Sequence, residues 1–404
     1  MKYIVVLGDG MADEPLAQLG GKTPLEYAKT PMMDTLAKKS EIGMAQTIPE
    51  GMKPGSDTAN LAVLGYNPRQ YYTGRSPLEA LSIGVNMKDT DIAIRTNLVT
   101  LSGEDQVSYG ERTILDHSAG EISTTDAAVL LDAVKDVFED NMYQFYIGTS
   151  YRHLLIWNKG EVLELVAPHD ILGQKIGSYL PKDKRLLEMM EKSFSILNSH
   201  PINIERAKQG LHKANSIWFW GAGTRPALHS FQEKTGLKGA MISAVDLLKG
   251  IAVGAGMKVV EVEGANGGLH TNYEGKAQAA ADALLKEDCD FVYIHLEAPD
   301  EMGHQGSVEH KITAIEYLDQ RIVRPIIEAM EKSKEAFRIL IMPDHPTPIR
   351  CRTHTSDPVP YLLYDSTKVV KMDGLYSEKD AIKTGILVKE GYRITEKLFN
   401  TYTE

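Results

Sequence analysis

Only two cysteines, Cys289 and Cys351, occur in 404 residues. That is too few for a disulfide framework, and it fits a reducing compartment. Long apolar runs are also missing: no stretch approaches the ~18–20 residues that a membrane-spanning helix needs. Nor do basic residues dominate. The 44 Lys and Arg against 55 Asp and Glu give a formal charge of −11, which repels polyanions and argues against nucleic acid as a general partner. A small anionic substrate remains compatible, because it responds to local charge. The apolar start, residues 3–7, is too short for a secretory signal and runs straight into Gly8-Asp9-Gly10. It reads as a buried first strand of a cytoplasmic protein. What remains is ordinary globular composition, 43% hydrophobic and 25% charged, in a chain long enough for two or three domains.

Short apolar runs at residues 3–7, 217–220, 259–262, 291–296 and 339–342 predict strands buried on both faces. Helical patterns lie between the later ones. Residues 274–285 are rich in Ala and Lys. Residues 311–334 set Ile312, Ile315, Leu318, Ile322, Ile326 and Met330 on one face at three- and four-residue steps. Strands alternating with helices imply an α/β fold with a mostly parallel sheet flanked by helices. The middle of the chain differs. It has weaker strand runs at 92–100, 145–147 and 154–157, helical stretches at 125–139 and 186–198, and loops rich in Gly, Pro and Asp. We expect a smaller α+β domain, residues 88–213, inserted into a core formed by 1–87 and 214–404.

Ligands of open parallel sheets bind beyond the carboxyl ends of the strands. Beyond residue 7 comes Asp9. Beyond 296 come Asp300 and His304, and beyond 342 come Asp344 and His345, with His354 nine residues on. Five of the twelve histidines fall between residues 295 and 354, where an even spread would place about two. Imidazole with carboxylate suits Zn²⁺ or Mn²⁺, and carboxylate-rich positions also suit Mg²⁺. Asp300 and His304, four apart, share one face of a helical turn. Asp344 and His345 point opposite ways on an extended segment, so they suit two neighbouring ions. Asp9 taken alone reads equally well as a turn or cap residue, and His295, within an apolar run, as a core residue.

A second element is Gly55-Ser56-Asp57-Thr58-Ala59-Asn60-Leu61. A helix starting here offers free N–H groups and a positive dipole end to a phosphate. Ser56 reads either as an N-cap or as a nucleophile whose hydroxyl a metal ion deprotonates.

The segments GDGMAD (8–13), GSDTANLAVLGY (55–66), GRSPLEALSIGV (74–85), APDEMGH (298–304), MPDH (342–345) and THTSDPVP (353–360) together resemble the cofactor-independent phosphoglycerate mutases of archaeal type, within the alkaline phosphatase superfamily. The resemblance covers essentially the whole chain. It implies an alkaline-phosphatase-like core and two divalent ions, Mn²⁺ foremost, with Mg²⁺, Zn²⁺ or Co²⁺ as options. By the same resemblance Asp300, His304 and His354 are ligands of one ion, and Asp9, Ser56, Asp344 and His345 of the other. Ser56 corresponds to the serine that carries the phosphoryl group. One departure is Asn60, which stands where archaeal mutases usually have His.

The implied reaction moves a phosphoryl group from the 3- to the 2-hydroxyl of glycerate through phosphoserine, without 2,3-bisphosphoglycerate and with water excluded by closure of the inserted domain. Cationic partners for the glycerate carboxylate are sought in Arg152 and His153, which resemble a family motif. Asp116 and Asp170 are candidates for hydroxyls, Arg225 and Lys249 for the core side of the site, and Arg75 for a loop near Ser56. The expected partner is thus a small phosphorylated substrate, phosphoglycerate, with neither nucleic acid nor membrane. The same motifs also fit a homoserine kinase-like phosphotransferase or a metal-dependent phosphomonoesterase.

Overall fold

A computed structural model describes residues 1–103 and 107–401. The chain divides into two units, Met1–Tyr72 with Ala227–Glu404, and Thr73–Pro226.

The first unit is built on an eight-stranded sheet. Its order is Leu387–Val388, Ser40–Ala45, Val359–Asp365, Phe337–Met342, Lys2–Gly8, Phe291–Leu296, Gly239–Ile242 and Lys258–Val259. Val359–Asp365 runs antiparallel to both neighbours and the remaining seven strands share one direction. The three central strands carry continuous apolar runs because helices cover both faces of the sheet. Phe291–Leu296 and Phe337–Met342 are buried at every position. The core below includes Ile4, Val6, Val292, Ile294, Ile339 and Ile341 with Ile315, Leu318, Ile322 and Ile326. The last four come from the amphipathic stretch expected at 311–334. That stretch is not one α-helix. It runs as Val308–Tyr317, a π-helical segment Leu318–Val323, and Arg324–Ser333. Pro325 has no N–H to give to the carbonyl four residues back, and the wider turn before it accommodates the missing bond. Within that turn the carboxylate of Asp319 accepts the backbone N–H groups of Met32 and Met33 at 3.2 and 2.6 Å. It thereby caps the helix Pro31–Ala37, where it meets the positive end of the dipole.

The second unit holds an antiparallel sheet. Asp91–Leu101 pairs with Arg152–Asn158, Ser216–Thr224 and Ile114–Asp116, and Tyr143–Tyr146 pairs with Arg152–Asn158. The helices Thr124–Phe138 and Lys184–Leu197 supply Leu130, Leu131, Val134, Met189, Met190 and Leu197 to its core. Two expectations are corrected here. The apolar run 217–220 belongs to this sheet, through Ser216–Thr224, and not to the parallel sheet. The boundaries fall at 72/73 and 226/227, not at 87/88 and 213/214, because the helix Arg75–Ser82 is tied to these strands. Thr73 Oγ1 donates to Thr224 O at 2.7 Å, Ser76 Oγ to Gly221 O at 2.5 Å, and Arg95 Nη1 to Glu79 at 2.5 Å.

Candidate metal and phosphoryl site

Parallel pairing in register brings three strand ends to one edge of the first unit. Gly8 lies opposite Leu296, and Leu7 opposite Met342. The residues that follow these strands are therefore neighbours. Asp9 follows the first strand. The helix Ala298–Gln305 follows the second, starting with Pro299 in its first turn and ending at Gly306 in the left-handed region. Asp344 and His345 follow the third. Gly10 has φ +59°, and a Cβ there would come within 2.5 Å of Thr347 Oγ1 and 2.6 Å of Asp300 Oδ1. Only glycine lets the first loop turn this tightly against the other two.

Two trios of donor atoms result, each with its atoms within 4.8 Å of one another: Asp300, His304 and His354, and Asp9, Asp344 and His345. In the first, His304 Nε2 lies 3.2 Å from Asp300 Oδ2, His354 Nε2 lies 3.4 Å from Asp300 Oδ1, and the two imidazole nitrogens are 3.0 Å apart. In the second, His345 Nε2 lies 3.5 Å from Asp9 Oδ1 and 3.4 Å from Asp344 Oδ2. The trios adjoin, since the rings of His345 and His354 are 4.0 Å apart. Ser56, the first residue of the helix Ser56–Val63, places its Oγ 3.1 Å from His345 Nε2.

The donor set fits cations. Asp9 Oδ1 is buried and accepts no hydrogen bond. Burial, and then the charges of Asp344 and Asp300, raise the Asp9 carboxyl well above its ordinary value, as expected for negative charges crowded without a positive one. At the other trio burial opposes ionisation of Asp300, but hydrogen bonds from His304 and His354 outweigh it and hold the carboxyl well below its usual range. His304 is drawn up to about 9, chiefly by its hydrogen bond to Asp300. The pull that holds a proton at Nε2 is the pull a cation would feel there. His304 Nδ1 lies 2.9 Å from the Arg352 carbonyl, which only accepts. The Nδ1 proton is thus committed and Nε2 is turned toward the trio.

Several residues around the site were given no role there by the sequence. His295, read as a core residue, is fully buried but holds its Nε2 at 2.8 Å from Asp9 Oδ2 and its Nδ1 at 3.2 Å from Ser243 Oγ. With Asp9 ionised, as a cation ligand is, its carboxylate only accepts, so Nε2 then carries the proton and Nδ1 accepts from the hydroxyl. Burial lowers the His295 pKa to about 3, so the ring stays neutral. Thr347 Oγ1 donates to Asp300 and lies 3.3 Å from His345 Nδ1. Asn60 is completely buried against Asp344.

The remaining sequence candidates make contacts of their own. Lys249, on the helix Asp246–Gly254 of the first unit, pairs with both carboxylate oxygens of Glu261 at 2.9 Å. Arg225, expected on the core side, belongs to the second unit and lies 3.2 Å from Asp89. Arg75 also belongs to the second unit, where its Nε pairs with Glu79 at 3.0 Å. Arg152 and His153 are adjacent on a strand, so the pleat separates them. Arg152 is exposed, with its guanidinium 5.6 Å from the Tyr151 ring. His153 is turned into the core and 1% exposed, its Nδ1 accepting the Gly148 N–H at 3.1 Å, and burial lowers its pKa to about 3. That position replaces the substrate-facing one expected for it. Asp116 uses both oxygens locally, accepting from Ser118 N and Oγ, Gly120 N and His212. Burial opposes these bonds, yet they hold its carboxyl at about 2. Asp170 is exposed on the turn Pro168–Ile171, 3.7 Å from His169. Near it runs a row of rings not foreseen from sequence: His117 lies 5.8 Å from Tyr151 and 6.0 Å from His169, which is 5.2 Å from Trp220.

Residues 37–203 match a family described as 2,3-bisphosphoglycerate-independent phosphoglycerate mutase. A Geobacter sulfurreducens protein named a probable 2,3-bisphosphoglycerate-independent phosphoglycerate mutase is 50% identical over 99% of this chain and 100% of its own length. The Methanosarcina acetivorans enzyme of that name is 47% identical over 95% of this chain and 96% of its own. Among solved structures, the PH0037 protein of Pyrococcus horikoshii superposes with a TM-score of 0.80 at 29% identity, covering 100% of this chain and 98% of that one. The cofactor-independent phosphoglycerate mutase of Thermoplasma acidophilum gives 0.64 at 26%, covering 99% of each. With relatives at half identity along almost its whole length, the chain belongs to the 2,3-bisphosphoglycerate-independent phosphoglycerate mutase family.

Proposed function

We propose that this protein interconverts 3-phosphoglycerate and 2-phosphoglycerate through a phosphoserine at Ser56, without 2,3-bisphosphoglycerate. The observation that supports this reading most directly is the place of Ser56 Oγ. It stands at a helix N-terminus, 3.1 Å from His345 Nε2, beside two adjoining carboxylate–imidazole trios. Two divalent cations, Mn²⁺ in our reading, held by Asp9, Asp344 and His345 with Ser56 and by Asp300, His304 and His354, would supply Lewis-acid stabilisation of charge on the phosphoryl oxygens.

Ser56 Oγ attacks phosphorus as the bond to the glycerate 3-oxygen breaks, and the proton lost from the serine ends on that departing oxygen. Glycerate stays bound and presents its 2-hydroxyl. That oxygen attacks the phosphoserine, and Ser56 regains its proton. The positive end of the helix Ser56–Val63 would favour the anion carried on Ser56. His295 and Thr347 hold Asp9 and Asp300 in orientation by the hydrogen bonds described above. We assign the binding of the glycerate carboxylate to groups of the second unit, exposed Arg152 and the imidazoles of His117 and His169. Were glycerate not held, phosphoserine would pass to water and the net reaction would be hydrolysis.

The test is a substrate comparison on Mn²⁺-loaded protein. Given 3-phosphoglycerate and no 2,3-bisphosphoglycerate, it should form 2-phosphoglycerate with little free phosphate. Free phosphate as the sole product, or O-phosphohomoserine formation from homoserine and ATP with no mutase turnover, would reject the reading.

A further inference from the structure

The geometry points to Asn60 and Tyr293 as positioning residues that fix the Asp344 carboxylate relative to Ser56, a role that rests on the phosphoryl-transfer reading above. Asn60 lies one helical turn beyond Ser56, and its amide is completely buried. Both of its N–H bonds are committed. Nδ2 donates to the Ser56 carbonyl at 2.8 Å and to Asp344 Oδ2 at 2.8 Å. Its Oδ1 accepts from the hydroxyl of Tyr293, on the strand Phe291–Leu296, at 2.5 Å.

This arrangement selects one amide orientation. Turned over, Asn60 would set its carbonyl oxygen against a carboxylate oxygen and its NH₂ against the Tyr293 hydroxyl. Two groups that only accept, the Asp344 carboxylate and the Ser56 carbonyl, therefore decide which end of the amide faces Asp344, and the phenol, by donating to Oδ1, holds the amide in that orientation. On the other side of Asp344, Oδ1 accepts Gly10 N at 3.1 Å and His345 N at 2.9 Å. With one oxygen held by two backbone donors and the other by Asn60, the carboxylate cannot rotate. One planar group thus links the turn that carries the nucleophile to a ligand of the adjoining trio. Three buried polar groups cost desolvation that an apolar side chain would avoid, and here each is satisfied by a bond that orients the next.

The relay makes a prediction that two independent packing roles do not. Tyr293→Phe, Asn60→Leu and the double variant are stripped with chelator. Their melting temperatures, Mn²⁺ affinities by titration, and kcat and KM for 3-phosphoglycerate are then measured. Asn60→Leu should weaken Mn²⁺ binding roughly 10–100-fold, the range for loss of a group that orients a metal ligand. Tyr293→Phe, which removes one oxygen and keeps the ring, should weaken it measurably but by a smaller factor than Asn60→Leu, without lowering the melting temperature of the stripped protein. In both variants kcat should fall while KM holds. The double variant should bind Mn²⁺ no worse than Asn60→Leu, because the phenol acts only through the amide. Wild-type affinity in Tyr293→Phe, or losses that add in the double variant, would overturn the inference. Should Asn60→Leu fail to fold, the affinity of Tyr293→Phe alone decides. If the wild type shows no mutase turnover while the affinities follow this pattern, the mutase reading fails and the relay stands.

Discussion

Lys311 Nζ lies 2.8 Å from Asp13 Oδ2, and neither side chain is reached by solvent. The same ammonium donates to the carbonyls of Ala12 and Thr347 at 3.3 and 2.8 Å. One buried cation thus staples the loop that follows Asp9 to the loop that follows His345. Breaking a buried pair from one side leaves an uncompensated charge, which costs about 3–5 kcal/mol. Lys311→Met should therefore lose roughly that much stability in urea unfolding, whereas exposed Lys286→Met, which breaks only the i,i+4 pair with Asp282, should be nearly neutral.

Glu378 packs on the same network, accepting from Asp13 N at 3.2 Å and Thr23 Oγ1 at 2.7 Å. Burial raises it from the ordinary 4.5 to about 7. Between these values the folded protein holds a proton that the unfolded chain has released, so stability falls as pH rises. The contribution is full below pH 4.5, is lost on rising through about pH 7, and is absent above it. Glu378→Gln should flatten this part of the stability–pH curve. Urea midpoints at pH 5 and 8 that differ as much in the variant as in the wild type would contradict the assignment.

Ser56→Ala should reduce mutase turnover by roughly 10⁴-fold or more, as for loss of a nucleophile. Mn²⁺ binding should survive, because Asp9, Asp344 and His345 remain. A rapid-quench search for a phosphorylated protein should find it in the wild type and not in the variant.

His295→Ala removes the donor to Asp9 Oδ2 and should weaken Mn²⁺ binding roughly 10–100-fold. His153→Ala, in the core of the second unit, should lower the melting temperature while leaving that affinity intact.

Gly10→Ala forces a side chain into the left-handed region at φ +59° and against Thr347 and Asp300. The backbone term alone costs about 1–2 kcal/mol. Thermal melts should show a loss of at least that size, with Mn²⁺ affinity falling in parallel as the two loops are pushed apart.

The strands at 291–296 and 339–342 were legible because burial on both faces demands an unbroken apolar run, and few other contexts do. Their C-terminal residues could be named for the same reason, since the rule for ligands in parallel sheets turns a strand end into an address. The run 217–220 misled because Ile-Trp-Phe-Trp fits a central parallel strand and an antiparallel one equally well. Periodicity reports how much of a strand is covered, not which strand lies beside it. The unbroken apolar stripe at 311–334 likewise concealed a change of helical pitch, because Ile315, Leu318, Ile322 and Ile326 reach the core either way. Tyr293 and Thr347 were invisible for a different reason, which also left Asn60 marked only as a departure from the family pattern and His295 only as a core residue. Their importance lies in hydrogen-bond direction, which depends on folded geometry and leaves no spacing signature. His153 and Asp116 show the converse: residue types suited to a substrate were committed to the pleat and to a local turn.

The sheet of the first unit pairs strands that lie far apart in the chain, and this has a bearing on its synthesis. The strand Lys2–Gly8 finds its first central neighbour only at Phe291–Leu296. At ribosomal rates of ~5–20 residues per second, it waits on the order of 15–60 s for that partner. Residues 73–226, whose pairing is wholly internal, emerge complete in the meantime. Translation thus lets residues 73–226 order while the strand Lys2–Gly8 still awaits its partner. The trio that needs His354 can assemble only after that residue has emerged, so the candidate cation ligands come together later than the second unit can order.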